Sequence, residues 1–204
     1  MTTDPQARLL HSHYQRPALV LAGELLGCHL CHRVGGDLRR GRIVEVEAYT
    51  DDLASHAANG KRTARNQVMF GPAGIAYIYF TYGMHHCFNV VSEGDGRPGA
   101  VLIRGLEGLP RAAGPALLCR ALALSVKDNG RDLATDPDLW IEPGKPRRGE
   151  LVIQTTRIGI RKAVDLPHRF YLLASAGVSK RDRIAEQVAL RTGGGSAQDP
   201  TVRK

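Results

Sequence analysis

Apolar residues recur along this chain with two different periods. Between Pro17 and Leu26 they are spaced three and four residues apart, as on one face of a helix, and Gly27 follows as a stop. Between Arg42 and Tyr49 small apolar residues at every second position alternate with larger or charged ones, which is the period of a strand. The first part of the chain is therefore predicted to form a helix and then a strand.

The rest of the chain predicts more strands and one more helix. Strands are predicted over Ile75–Tyr82, Cys87–Val91, Ala100–Arg104, Leu151–Thr155 and Arg169–Ala174. The glycine at position 83 makes the first two of these a hairpin. A helix is predicted from Gly114-Pro115 to Leu124, since Pro is well tolerated in a first helical turn, and Asp128-Asn129-Gly130 predicts a turn after it.

These elements do not alternate in the regular way that produces a parallel sheet. The predicted fold class is α+β, with a mixed, largely antiparallel sheet flanked by helices and a protruding β-hairpin. We expect one domain over residues 1–192, in which about the first ten residues are flexible, and a disordered Gly-rich tail over residues 193–204.

Composition narrows the function classes. The chain has 204 residues, 43% of them hydrophobic, enough for one core, and its formal charge of +8 favours an anionic partner such as nucleic acid. The N-terminal residues lack the apolar core of a signal peptide, and the longest apolar run, Ala18–Ala22, is too short for a membrane span. We therefore expect an intracellular protein that does not enter a membrane and whose four cysteines stay reduced.

The segment Cys28-His29-Leu30-Cys31-His32 matches the attachment pattern of c-type haem. Covalent haem of this type belongs to exported proteins, and a zinc site would need a second ligand pair. The segment is interpreted as a strand with interspersed polar residues.

The strand that carries Glu45, Glu47 and Tyr49 points these three side chains the same way, with the two carboxylates roughly 7 Å apart. One interpretation is a pair of carboxylates that hydrolyses O-glycosides. Another is a single catalytic glutamate with a stacking tyrosine. The strand alone favours a third, the solvated face of an edge strand, because exposed glutamates are common.

Aromatic residues cluster around the predicted hairpin. Of the four Phe, one Trp and six Tyr in the chain, five lie between residues 77 and 88. Flat rings are what stacking on bases requires, and a ring at a hairpin tip can wedge into a duplex and fill the gap left by an extruded base. Tyr82, beside Gly83, is the predicted wedge.

The order and spacing of several motifs resemble the alkyladenine (3-methyladenine, or methylpurine) DNA glycosylase family. The motifs are Arg42–Tyr49, Ser55-His56, Thr63–Asn66, Met69-Phe70, Tyr77–Met84, Asn89–Val91, Val101–Arg104, Gly114-Pro115, Arg157–Ile160 and Val178-Ser179. The resemblance spans most of the chain, from about residue 15 to 187. The resemblance implies a monofunctional glycosylase that flips an alkylated or deaminated purine, such as 3-methyladenine, hypoxanthine or ethenoadenine, out of duplex DNA and hydrolyses its N-glycosidic bond.

The resemblance also implies roles for residues that would handle water. Glu47 would be the general base, and Arg104 and the backbone carbonyl of Ile158 would help to hold the water. Glu45 would support them. No lysine stands in the pocket motifs, Lys61 being the nearest, so a Schiff base and lyase activity are not expected.

Other residues would hold the base and the DNA. Tyr49, His56 and Tyr79 would stack against the flipped base, and Asn89 would lie at the pocket floor and exclude guanine through its 2-amino group. Tyr82 would intercalate, with Met84 near it on the hairpin.

The same resemblance implies no cofactor and no metal, double-stranded DNA with damaged purines as the partner, no membrane, and a monomer. The expected location is the cytoplasm or nucleoid of a bacterium, or the nucleus of a eukaryote. The chain departs from the family pattern in a longer Glu93–Gly99 loop, in His85-His86, which replaces aromatic or apolar residues behind the wedge, and in Gly177, where Trp is expected.

Overall fold

A computed structural model describes residues 7–81, 83–94 and 96–192. The helices in this part of the chain are α1 (His11–Tyr14), α2 (Ala18–Leu25), α3 (Pro115–Ala121) and α4 (Arg183–Thr192). The strands are β1 (His29–Val34), β2 (Asp37–Tyr49), β3 (Ala76–Thr81), β4 (His85–Val91), β5 (Ala100–Glu107), β6 (Leu139–Glu142), β7 (Val152–Thr155) and β8 (Arg169–Leu172). The predicted α+β class is confirmed.

The strands form one curled sheet in the order β3-β4-β5-β2-β1-β6, and β7 joins it through β8. Every strand pair in the described ranges is antiparallel. The predicted hairpin is β3 and β4, and β3 is the last strand at that end of the sheet.

The long strand β2 lies at the centre of the sheet. One edge pairs with β5, while the other pairs first with β1 and then, at Glu45–Glu47, with β8. The interpretation of this segment as the solvated face of an edge strand is therefore wrong. It failed because the strands that cover β2 come from distant parts of the chain, which a local pattern does not reveal.

The alternation predicted for β2 separates two faces. Val44, Val46 and Ala48 point into the main core, where they join Leu21 and Leu25 of α2. Burial of an aliphatic side chain of this size stabilises the fold by about 1.5–3 kcal/mol. The opposite face of β2 presents Glu45, Glu47 and Tyr49, so the core fixes where these three side chains lie.

Most of the remaining predicted elements are confirmed to within a few residues, including the strand that contains Cys31. Elements α1, β6 and α4 were not predicted. The first two have four residues each, too few to show a period, and α4 leaves apolar side chains such as Ile184 exposed. All four cysteines are buried and free.

Gly177 occupies a position where no side chain fits. A Cβ atom there would lie 2.4 Å from the carbonyl oxygen of Leu106 in β5, and a Cβ atom on Gly105 would lie 2.1 Å from the carbonyl oxygen of Gly177. The two backbones are therefore in direct contact, which explains why the expected Trp is absent.

Three predictions fall wholly or partly outside the described residues, namely the wedge at Tyr82, the disordered tail over residues 193–204 and, for residues 1–6, the flexible N-terminus. In the ranges that the structure describes, no helix combines the length and the apolar character needed to cross a membrane.

Candidate active site

A cavity of about 530 Å³ opens between the end of β2, the β3–β4 hairpin and the segment that follows β7. Its wall includes six residues to which the sequence assigned roles, Tyr49, His56, Tyr79, Asn89, Arg104 and Ile158. The fold thus gathers residues that are more than a hundred positions apart in the chain around one space.

Glu47 lies directly behind this wall and is fully buried. Its Oε1 accepts a hydrogen bond from the backbone amide of Ile158 at 2.7 Å and lies 3.3 Å from Nη1 of Arg104. Its Oε2 accepts a hydrogen bond from the hydroxyl of Tyr49 at 2.9 Å. All three neighbours line the cavity, so a single layer of residues separates the carboxylate from the cavity.

Glu45 has a different environment, although it is equally buried. Its Oε1 lies 3.3 Å from Nε of Arg104 and 3.1 Å from Nη1 of Arg169, and its Oε2 accepts a hydrogen bond from the amide of Ser179 at 2.6 Å. Glu45 does not line the cavity. The two glutamates are therefore not an acid and base pair across a substrate, and Glu45 instead holds Arg104 against Glu47.

Burial and close contacts between opposite charges set the pKa values of Glu47 and Arg104. Burial raises the pKa of Glu47, and the opposing effects of Arg104, the Ile158 amide and the Tyr49 hydroxyl do not cancel it. Burial lowers the pKa of Arg104, but the carboxylates of Glu47 and Glu45 more than offset this, so its pKa is raised and it stays charged. A base with a raised pKa beside a fixed cation is suited to taking a proton near neutral pH.

Aromatic rings form the opposite wall. The rings of His56 and Tyr79 meet edge to face with centroids 4.6 Å apart, and Tyr77 packs on Tyr79 at 5.4 Å. Nδ1 of His56 makes a hydrogen bond of 2.8 Å with the hydroxyl of Tyr77. Burial, together with the nearby charge of Arg65, lowers the pKa of His56, so the imidazole is neutral at neutral pH.

The predicted floor residue, Asn89, is buried on β4. Its side-chain nitrogen donates to the backbone oxygen of Tyr77 at 3.0 Å and more weakly to that of Cys87 at 3.4 Å. These bonds fix the orientation of the amide at the cavity wall.

Sequence reasoning missed Asn66, which shapes the loop before the hairpin. Its side chain donates to the carbonyl oxygens of His56 and Lys61 at 2.7 and 2.8 Å and accepts from the amide of Thr63 at 2.7 Å. The residue stood in a quoted motif, but its sequence gave no sign that one buried amide ties together three points of the loop.

Sequence reasoning also missed Arg157 and Asp52. Arg157 is completely buried and makes two hydrogen bonds to the carboxylate of Asp52, at 2.8 and 2.9 Å. Its guanidinium lies over the ring of Tyr49, 4.8 Å from the centroid. Nothing in the sequence pattern links positions 52 and 157.

Basic residues surround the mouth of the cavity. Arg161 and Lys162 line it, and the guanidinium of Arg65 lies 5.0 Å from the centroid of Tyr79. The expectation that Lys61 is the lysine nearest to the pocket is wrong, because the Arg161-Lys162 segment folds back to the cavity from the far end of the sequence.

The remaining predicted residues differ in how far the structure places them. Met84 lies in the hairpin turn and is 67% exposed, whereas Tyr82 lies outside the described residues. For Ile158, the recorded contact with Glu47 is made by the amide and not by the carbonyl. Across the described ranges, His, Cys, Asp and Glu side chains form no group of three or more that would hold a metal ion.

Comparisons with known proteins cover most of the chain. The model of the methylpurine-DNA glycosylase family matches residues 12–176. A protein of Carboxydothermus hydrogenoformans is 47% identical over 185 residues, covering 82% of this chain and 96% of its own length. A protein of Myxococcus xanthus is 50% identical over 183 residues, covering 84% and 93%. Both relatives carry the name "Putative 3-methyladenine DNA glycosylase".

Proposed function

This chain belongs to the methylpurine-DNA glycosylase family, and from that premise we propose that it extrudes a damaged purine from duplex DNA into the cavity, where Glu47 activates the water that hydrolyses the N-glycosidic bond. The protein is accordingly a DNA glycosylase of the 3-methyladenine or methylpurine type. The proposal adds the residues, the base flipping and the wider set of lesions, hypoxanthine and ethenoadenine included.

The observation that carries the proposal is the position of Glu47. Its carboxylate is buried, bound by Arg104 and the Ile158 amide, and separated from the cavity only by groups that line it. A carboxylate oxygen can accept two hydrogen bonds, and within the described part of the chain Oε2 of Glu47 accepts one, from Tyr49. Oε2 can therefore accept a further hydrogen bond, from the attacking water, and then take its proton.

The aromatic wall supports a purine as the occupant. The cavity brings Tyr49, His56 and Tyr79 together, and electron-rich rings attract the face of a cationic alkylated base. Such a base is already a good leaving group because of its charge. The enzyme then needs one aimed water more than a strong acid, and a single buried base suffices.

The surroundings of the cavity support duplex DNA as the substrate. Arg65, Arg161 and Lys162 lie at its mouth, where they would contact phosphates. Extrusion of a base costs a few kcal/mol of stacking, which a wedge at Tyr82, with Met84 beside it, would offset by filling the gap. We propose a monomer that works on the genome, and hence in the nucleoid of a bacterium.

The test is base release from duplexes that contain one lesion each, read as alkali-labile abasic sites. Glu47→Gln keeps the size of the side chain but replaces one acceptor oxygen with an NH2 donor and removes the base, so we expect the rate to fall by about 10²–10⁴ while DNA binding is retained. Glu24→Gln is the matched control, because Glu24 is an exposed glutamate that does not line this cavity.

Two outcomes would overturn the proposal. If Glu47→Gln cleaves as fast as the parent, Glu47 is not the base. If the parent releases no base from any damaged duplex but binds DNA, the chain is a nucleic-acid-binding domain that uses its aromatic and basic residues without catalysis.

A further inference from the structure

One wall of the cavity is backed by a buried charge. Tyr49 lines the cavity, whereas Arg157 does not, and the guanidinium of Arg157 lies over the ring of Tyr49. Arg157 thus covers one face of the ring, which leaves the other face for a base to stack on. The side chain of Arg157 is completely buried, so solvent does not screen this charge.

Asp52 neutralises that charge through a two-point ion pair. Its Oδ1 and Oδ2 accept hydrogen bonds from Nη2 and Nη1 of Arg157 at 2.8 and 2.9 Å. Burial raises the pKa of Asp52, but Arg157 and the amide of Ala54 outweigh this and hold the pKa below its ordinary value. The pair behind Tyr49 thus carries no net charge.

The titratable groups next to Asp52 and Tyr49 do not alter this balance. His168 lies 3.9 Å from Asp52, and its pKa is lowered by burial and then by Arg157, so it is neutral. The neighbouring cluster contains two carboxylates and two guanidiniums, those of Glu45, Glu47, Arg104 and Arg169.

The neutrality of this pair matters because one class of proposed occupant, the alkylated purines, is positively charged. A base stacked on Tyr49 at van der Waals separation, about 3.5–4 Å, would lie roughly 8–9 Å from the guanidinium of Arg157. At that separation, in an effective dielectric of about 20, two positive charges repel by an energy equivalent to about a 30-fold change in an equilibrium constant. A neutral base would not feel this repulsion.

We infer that the Asp52–Arg157 pair determines the preference between cationic and neutral lesions. Arg157 places a positive charge behind the ring of Tyr49, and Asp52 cancels that charge, so that a cationic base is not repelled from the ring. The inference rests on the proposed function. Arg157 and Asp52 are specificity-determining positioning residues, since they act on the base through Tyr49 and do not touch it.

The test is a charge series behind the same ring. Asp52→Asn leaves a net positive charge, the double variant Asp52→Asn with Arg157→Gln leaves none, and Arg157→Gln leaves a net negative charge. Rates of base release are measured under single-turnover conditions on duplexes containing 3-methyladenine, a cationic purine, or hypoxanthine, a neutral purine. The readout is the ratio of the cationic rate to the neutral rate.

We expect the ratio to follow the charge. Asp52→Asn lowers it by about 10- to 30-fold, the double variant returns it to within about threefold of the parent, and Arg157→Gln raises it. Asp52→Asn also leaves a buried cation without its partner, which can unfold the protein. Arg157→Gln then decides the matter, because Asp52 keeps its hydrogen bonds from Thr50 and Ala54.

If Arg157 had a purely structural role, the variants would differ in their rates in another way. Arg157 also donates to the carbonyl oxygen of Ala48 and precedes Ile158, whose amide binds Glu47. If anchoring were its only task, both lesions would slow equally in each variant, and the double variant would be the slowest on the cationic lesion. Either result would overturn the inference while the parent still releases bases, whereas a parent that releases none overturns the proposed function itself.

Discussion

The hydroxyl of Tyr49 is the group whose removal separates proton transfer from stacking. It donates to Oε2 of Glu47 at 2.9 Å, while the ring packs on Arg157 and lines the cavity. Tyr49→Phe removes the hydrogen bond and keeps the ring. Because the bond stabilises the charged form of Glu47, its loss raises the pKa of Glu47 beyond the increase that burial already causes.

The size of the effect follows from the type of bond. A hydrogen bond to a charged acceptor contributes about 1.5–3 kcal/mol, which corresponds to a factor of roughly 10 to 150 in rate wherever the fraction of deprotonated Glu47 limits hydrolysis. A water molecule that replaces the hydroxyl would bring the loss toward the lower figure. The loss is confined to acidic pH, because at higher pH Glu47 is deprotonated in both proteins.

The assay is the single-turnover rate of base release as a function of pH. The parent loses activity as pH falls through the raised pKa of Glu47, and in Tyr49→Phe this decline occurs at higher pH. Tyr77→Phe is the control, since its hydroxyl bonds to His56 and not to Glu47, and its decline occurs at the parent's pH. If Tyr49→Phe loses the same factor at every pH, the hydroxyl acts in binding and the reasoning is refuted.

Three other contacts give measurable outcomes. Asn66→Ala removes the amide that holds the His56 carbonyl, so we expect about 2 kcal/mol less unfolding free energy in urea and a higher KM; unchanged values would contradict this. Gly177→Ala places a Cβ 2.4 Å from a carbonyl oxygen of β5 and costs about 1–3 kcal/mol, measured as a lower Tm. Arg42 lowers the pKa of Glu150 from its ordinary value of 4.5, so this carboxylate stabilises the fold above that pH, and the effect is lost as pH falls through the lowered pKa. Arg42→Met should therefore flatten the dependence of unfolding free energy on acidic pH.

Patterns within single segments of the sequence predicted the helix α2, the strand β2 and the β3–β4 hairpin. The helix at α2 and the alternation in β2 were visible because each buries one face, and the hairpin was visible from two strand patterns separated by Gly83. The central position of β2 was not visible, because it depends on β8, a strand more than a hundred residues away in the sequence. In the sheet, Arg169 of β8 lies opposite Glu47 of β2.

The residues of the candidate site likewise divide into those that motifs in the sequence predicted and those whose contacts come from distant parts of the chain. The motifs around Glu47, Tyr49 and His56 sufficed to name residues that the fold does bring to one cavity. The ion pair between Asp52 and Arg157 was not predicted, since two charged residues far apart in sequence carry no mark of their contact. The placement of Lys162 depends likewise on how the chain returns after β7.

The position of β3 at the end of the sheet gives the two halves of the site unequal resistance to local opening. Glu47 and Arg104 stand on β2 and β5, which pair with strands on both sides, whereas Tyr79 stands on a strand that pairs with one strand only and His56 on a loop. Within the described ranges, the other edge of β3 is bonded only to the turn at residues 129–131, through Ala76 and Ile78. Local opening requires less free energy where fewer interstrand bonds must break. We therefore expect the half proposed to receive the base to open more readily than the half proposed to direct water, whose geometry the paired strands hold.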